Sequence, residues 1–130
     1  MNIDYKLLMD TAKEASRNSY SPFSRFAVGA AVLTTSGKIY SGCNVENSSF
    51  GLTNCAERTA IFKAVSEGEK ELVAVAIYSP NADSCYPCGA CRQVLYEFQG
   101  DEKEIEVITE NLGELEIKQL SYFLPHGFRI

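Results

Sequence analysis

Between Asp4 and Arg17, Leu7, Leu8, Thr11, Ala12 and Ala15 fall on one helical face, with Lys6, Asp10, Lys13 and Glu14 mostly opposite. That spacing predicts an amphipathic helix, and Asp4 is placed to cap it. Asn18 to Phe26 reads as a polar and aromatic loop broken at Ser21-Pro22. Ala27 to Thr34 is small and apolar enough for a strand, Thr35-Ser36-Gly37-Lys38 for a hairpin turn, and Ile39 to Asn44 for the returning strand. Val45 to Asn54 is a polar loop. Cys55 to Ser66 reads as a helix with Ala56, Ala60, Ile61, Ala64 and Val65 as its apolar positions, stopped at Gly68. Leu72 to Tyr78 is almost continuously apolar, the pattern of a strand buried on both faces. After a loop from Ser79 to Pro87, Cys88 to Phe98 reads as a helix with Val94, Leu95 and Phe98 inward. Ile105 to Thr109 is a further strand, and Ile117 to Leu124 a short helix cut off by Pro125. This order predicts an α/β fold with a mixed sheet: an antiparallel pair first, then parallel strands with helices on both faces.

Composition narrows the classes of function. A chain of 130 residues, 45% of them hydrophobic, suits one domain spanning 1–130. It contains no run of about 18 apolar residues and no basic-then-apolar N-terminus, so the expectation is a cytoplasmic protein without a membrane partner. The formal charge is −5, the pI is about 4.9, and the lysines and arginines are scattered. A nucleic-acid polymer needs a localised basic surface, so a small, uncharged substrate is the better match.

The five cysteines are 43, 55, 85, 88 and 91. An odd count without a secretory leader argues against a disulfide framework and for reduced thiols that serve a metal. Cys55, Cys88 and Cys91 together offer three thiolates, enough for zinc with its fourth position open to water. Cys88 and Cys91, three apart at a predicted helix start behind Pro87, face the same way. Cys55 opens the other helix. Helix N-termini favour anions and so promote the thiolate form. Glu57, two residues past Cys55, sits near the metal without having to bind it, as a group that moves protons must. Three thiolates on Zn²⁺ leave a charge of about −1, and Arg58, on the same face as Cys55, is placed to offset it by donating to a ligand sulfur.

Other readings stay open at this point. Cys88-x-x-Cys91 alone also suits a thiol redox pair. Cys85 as a fourth ligand would close the site and make the zinc purely structural. Cys85-x₂-Cys88-x₂-Cys91 begins like an iron–sulfur run, but Leu95 stands where the next cysteine belongs. Cys43 reads as a small buried apolar residue.

Cys55-Ala56-Glu57 followed by Pro87-Cys88-Gly89-Ala90-Cys91 resembles the signature of the zinc-dependent nucleoside deaminases. Ser24-Arg25-Phe26-Ala27-Val28-Gly29-Ala30 looks like the F-x-V-G-A segment of the cytidine deaminases, and Gly42-Cys43-Asn44-Val45-Glu46-Asn47 like their G-x-N-x-E-N segment. The likeness runs on to Leu124-Pro125-His126-Gly127-Phe128 and is to the short, homotetrameric type.

The resemblance implies a three-layer α/β/α sandwich with a mixed five-stranded sheet. It implies one Zn²⁺ per chain on Cys55, Cys88 and Cys91, with Glu57 as catalytic proton shuttle. Phe26 would pack on the pyrimidine, Asn44 and Glu46 would bind the ribose, and the Ala56 N–H would bind the base carbonyl. Phe50 and Phe128 would reach a neighbouring subunit's pocket in a homotetramer. The implied reaction is hydrolysis of cytidine and deoxycytidine to uridine and deoxyuridine with release of ammonia, in pyrimidine nucleoside salvage. One position departs: Asn47-Ser48-Ser49-Phe50-Gly51 carries Phe50 where the family usually has Tyr, so any contact through that hydroxyl is lost.

Overall fold

The layers follow from alternation along the strands. A computed structural model describes residues 1–130. It contains helix α1 (Tyr5–Ser16), strands β1 (Gly29–Thr34) and β2 (Ile39–Cys43), helix α2 (Ala56–Ser66), strand β3 (Leu72–Tyr78), helix α3 (Gly89–Glu97), strands β4 (Glu106–Asn111) and β5 (Glu114–Gln119), and helix α4 (Leu120–Phe123). The five strands form one sheet in the order β2-β1-β3-β4-β5. Only β3 and β4 are parallel; the other neighbours are antiparallel.

Ala31 and Leu33 of β1, Ala74 and Ala76 of β3 and Ile108 of β4 point to one face, where they meet Leu8, Met9 and Ala12 of α1. Ala30, Val32, Val75, Ile77 and Val107 point to the other, where they meet Ala60, Ile61 and Ala64 of α2, Leu95 of α3 and Leu120 of α4. This is the expected three-layer sandwich, and it explains the unbroken apolar reading of β3: both of its faces are covered.

Two glycines set how closely the layers approach. A Cβ on Gly29 would lie 2.0 Å from the Ala12 carbonyl oxygen and 2.5 Å from the Ser16 nitrogen, so α1 rests directly on the strand backbone. Gly42 plays the same part under α2, with Ala60 N at 2.6 Å. Gly29→Ala is therefore expected to destabilise the fold by about 3 kcal/mol or more, by prising α1 off β1. A urea midpoint unchanged from wild type would contradict this contact.

Asp4 caps α1 as expected, its Oδ1 accepting from Leu7 N at 3.0 Å. Gly68, at φ +95°, ends α2. Three expectations need correction. Leu7 is about half exposed, and Met9 takes its place in the core, because the buried stripe runs through 8, 9 and 12. Cys43, at the end of edge strand β2, is half-buried rather than buried. The segment 117–119 is strand, not helix. Leu112 (φ +51°) and Gly113 (φ +86°) form a two-residue hairpin turn after β4, and Glu114 to Gln119 return along it, so that only Leu120 to Phe123 are helical.

Candidate metal centre and active site

Cys55 and Cys88 are not merely near helix starts; each is the capping residue of its helix, in extended conformation, with no side-chain capping bond of its own. A sulfur at that position is free to turn towards a shared centre while the first N–H groups of the helix stabilise its charge. The Sγ atoms of Cys55 and Cys88 are 3.7 Å apart and those of Cys88 and Cys91 3.5 Å. Tetrahedral zinc with Zn–S bonds of ~2.3 Å holds its thiolate sulfurs about 3.8 Å apart, so the cradle matches that ion as it stands. No other residue joins the group.

The surroundings anticipate negative charge. Arg58 donates from Nη2 to Cys55 Sγ at 3.2 Å, as expected from its spacing, and its buried Nε–H has no acceptor. Among the free thiols, the first charge settles on Cys55. The Cys91 thiol donating to it, with help from Arg58 and Cys88, pulls Cys55 down to about 5. Cys91, the donor, is correspondingly held above the ordinary thiol range.

Cys85 stands outside the cradle, packed against the larger core. Its thiol is pushed up to about 11, by burial first and then by the negative charge of Glu57 and Cys55. Only the Cys55, Cys88 and Cys91 sulfurs converge on one centre, so the closed four-cysteine reading has no geometric basis.

Glu57, in the first turn of α2, is only 4% exposed. Burial pushes its carboxyl up to about 7 and the Cys55 charge adds to the rise, while its own N–H, Cys91 and Arg58 pull the other way. A carboxyl that titrates near neutrality beside a metal cradle has the properties of a proton carrier.

The remaining expected residues fall into two groups. Asn44 and Glu46 lie on a three-ply ribbon beside the cradle, and the loop carrying Phe26 is tied to it through the Phe26 carbonyl. Val45 pairs with Asn54, the residue before Cys55, through two hydrogen bonds of 2.9 Å, and Tyr20 pairs with Val45 on the other side. Asn44 Oδ1 accepts from Val28 N at 2.9 Å and from the Ser19 hydroxyl, and Nδ2 donates to the Phe26 carbonyl at 2.8 Å. Asn44 thus fixes the loop that carries Phe26 and keeps one amide N–H uncommitted. The Glu46 carboxylate accepts from Phe23 N, Ser24 N and the Ser24 hydroxyl, which hold it below the usual carboxylate range.

Phe26 itself follows Arg25, whose φ of +56° is the left-handed turn a non-glycine residue adopts only where its surroundings impose it. Asn81, after β3, accepts from Ala27 N at 2.8 Å and steadies the same loop; a lone loop asparagine carries no sequence signal for that role. Phe50 and Phe128 form the second group. Each is 73% exposed. Phe50 touches Phe23 at a ring separation of 5.8 Å, and with Glu46 and Thr53 they line an open cavity of about 380 Å³.

Three converging thiols and a buried carboxyl on one helical turn, carried by a three-layer α/β sandwich, define a zinc-dependent hydrolytic enzyme. Residues 2–107 match the family model of the cytidine and deoxycytidylate deaminase zinc-binding region. The chain is 43% identical over 126 residues to a cytidine deaminase of Sporosarcina psychrophila, covering 97% of this chain and 92% of the relative. It is 44% identical to that of Halalkalibacterium halodurans, covering 97% and 95%. The crystal structure of cytidine deaminase from Burkholderia pseudomallei superposes with a TM-score of 0.88 at 40% identity, covering 97% of this chain and all of that one. The chain belongs to the cytidine deaminase family.

Proposed function

We propose that this protein hydrolyses cytidine and deoxycytidine to uridine and deoxyuridine, releasing ammonia, and that it serves pyrimidine nucleoside salvage in the cytoplasm. The observation that carries the reading is the buried Glu57 carboxyl set against the Cys55, Cys88 and Cys91 cradle. The names of the relatives support the nucleoside.

Zinc held by the three cysteines supplies the Lewis acidity that makes a water nucleophilic at neutral pH. Glu57 takes the proton that the water gives up and delivers it to N3 of the base as C4 is attacked; it then takes the proton of the new C4 hydroxyl and passes it to the amine, which leaves as ammonia as the C4 carbonyl forms. Its near-neutral titration suits it to both directions of transfer. The Ala56 N–H, in the first turn of α2 where no intrahelical acceptor exists, is directed at the base carbonyl. Phe26 packs on the pyrimidine. Asn44, through its uncommitted N–H, and Glu46 bind the ribose. Asn44→Ala is expected to raise KM at least about tenfold and to lower stability by roughly 2 kcal/mol, since the Val28 N–H and the Phe26 carbonyl lose their partner together. An unchanged KM would remove Asn44 from the sugar site.

The family resemblance implies a homotetramer in which Phe50 and Phe128 complete sites on neighbouring subunits, a role for which both side chains are exposed. Phe50 contributes packing alone in that role. No helix is long and apolar enough to cross a membrane, and the acidic surface favours a free nucleoside over a polynucleotide.

The deciding experiment follows cytidine turnover by ultraviolet absorbance, with zinc quantified on the same sample. Turnover with about one zinc per chain is expected. One zinc per chain without turnover of cytidine or deoxycytidine would leave the metal centre standing and overturn the substrate.

A further inference from the structure

We propose that Arg92 is a positioning residue for the metal centre: it fixes the Cys88 ligand by binding the carbonyl that precedes it to helix α4. The Arg92 side chain folds back along α3. Its Nε donates to the Pro87 carbonyl at 2.7 Å, and its Nη1 donates to the Phe123 carbonyl at 2.9 Å. The guanidinium carbon also stands 5.3 Å from the centroid of the Phe123 ring, which is itself packed edge-on against Tyr122 at 5.2 Å. One planar group therefore spans two segments far apart in the chain, in the bidentate manner to which guanidinium is suited.

Neither carbonyl has another partner. The hydrogen bonds of α3 begin with Arg92 N donating to Cys88 O, so the Pro87 carbonyl lies one residue outside the helix. Pro87 is buried, which makes an unpaired carbonyl there costly. Phe123 is the last residue of α4, beyond the reach of any donor within that short helix.

The three ligands differ in how they are held. Cys91 is fully buried inside the first turn of α3. Cys55 is fixed by the paired strands at Val45 and Asn54 and by the Arg58 contact. Cys88 is exposed, extended and without a capping bond. The place of its sulfur depends on the backbone at Pro87-Cys88, which is where Arg92 acts. A sulfur that swings freely is a ligand that dissociates first. The inference rests on the three-cysteine cradle and not on which nucleoside is the substrate.

The test measures zinc release to a chromogenic chelator, with the visible spectrum of the cobalt(II)-substituted protein as a second readout. Arg92→Met, which keeps the alkyl stem, is expected to release zinc about tenfold faster or more, the usual scale for loss of an outer-sphere contact, and to shift the thiolate–cobalt bands. Gln93→Ala is the control. Gln93 donates to the Phe128 carbonyl at 3.0 Å, so this change removes one link between α3 and the same C-terminal tail without touching Pro87, and release should match wild type. Arg92→Lys, able to reach one carbonyl, should fall between. Release and cobalt spectrum both within about twofold of wild type in Arg92→Met would overturn the proposal whatever happens to its melting temperature. Should Arg92→Met fail to fold, unchanged release from Arg92→Lys overturns it equally.

Discussion

Glu57→Gln is expected to keep its zinc and to lose roughly 10²–10⁴-fold in kcat, the span assigned to a positioned general acid–base group. The amide has nearly the same shape, so the α2 turn and the three sulfurs should stay where they are. What it cannot do is accept a proton and return it. The variant separates chemistry from binding: KM should change far less than kcat, and Glu57→Ala should lose at least as much. Zinc content at wild-type level with turnover within tenfold of wild type would remove Glu57 from the proton path.

The same substitution has an expected effect on stability in the metal-stripped protein. Glu57 is 4% exposed, and its carboxyl is raised by burial from 4.5 to about 7. The folded state therefore binds the proton more tightly than the unfolded one. That stabilising contribution is complete below the ordinary carboxylate value and is lost as pH rises through about 7, at up to ~1.4 kcal/mol per pH unit. Glu57→Gln has no such proton to lose. Its stability relative to wild type should rise between pH 4.5 and 7 and level off above. A difference between the two that does not vary over this range would contradict the burial argument.

The helices that carry the ligands were legible in the sequence because several local signals agreed there. Cysteine and apolar spacing placed helix starts at 55 and 88, Pro87 reinforced the second, and the structure turns both cysteines into capping residues. The sheet was less legible at its edge. Leu115 and Ile117 alternate with Glu114, Glu116 and Lys118, which is a strand pattern, yet both are substantially exposed, so burial gives the pattern little weight against the helical reading of the residues that follow. Leu112-Gly113 was the missed signal, a turn whose two positive φ angles set the hairpin.

Contacts between distant loops left no periodic trace at all. Asn44 looks like a loop residue until its amide is seen to join Val28, Ser19 and Phe26. Arg92 reads as the polar side of a helix until its two carbonyl partners are located. Residues of this kind act through places that the chain brings together only on folding, and only the folded structure identifies them.

Cys91→Ala should abolish zinc retention and turnover, whereas Cys85→Ala should leave both intact. Both cysteines lie three residues from Cys88, so spacing alone does not choose between them. Geometry does. Cys91 is on the first helical turn, where a three-residue separation brings two side chains to one face, and its sulfur is 3.5 Å from that of Cys88. Cys85 precedes the helix and packs against the core, outside the group of converging sulfurs.

Removing Cys91 leaves two thiolates for a tetrahedral ion and exposes Arg58 to an incomplete cluster. Zinc per chain after dialysis against a weak chelator should fall close to zero, with far-ultraviolet circular dichroism retained if the fold survives without metal. Cys85→Ala deletes one small half-buried group, so a cost of about 1 kcal/mol in stability is expected, with zinc content and kcat near wild type. Loss of zinc from Cys85→Ala would restore a closed four-thiolate site and, with it, a structural metal in place of a catalytic one. Full zinc and turnover in Cys91→Ala would mean that the 3.5 Å sulfur contact does not mark a ligand pair.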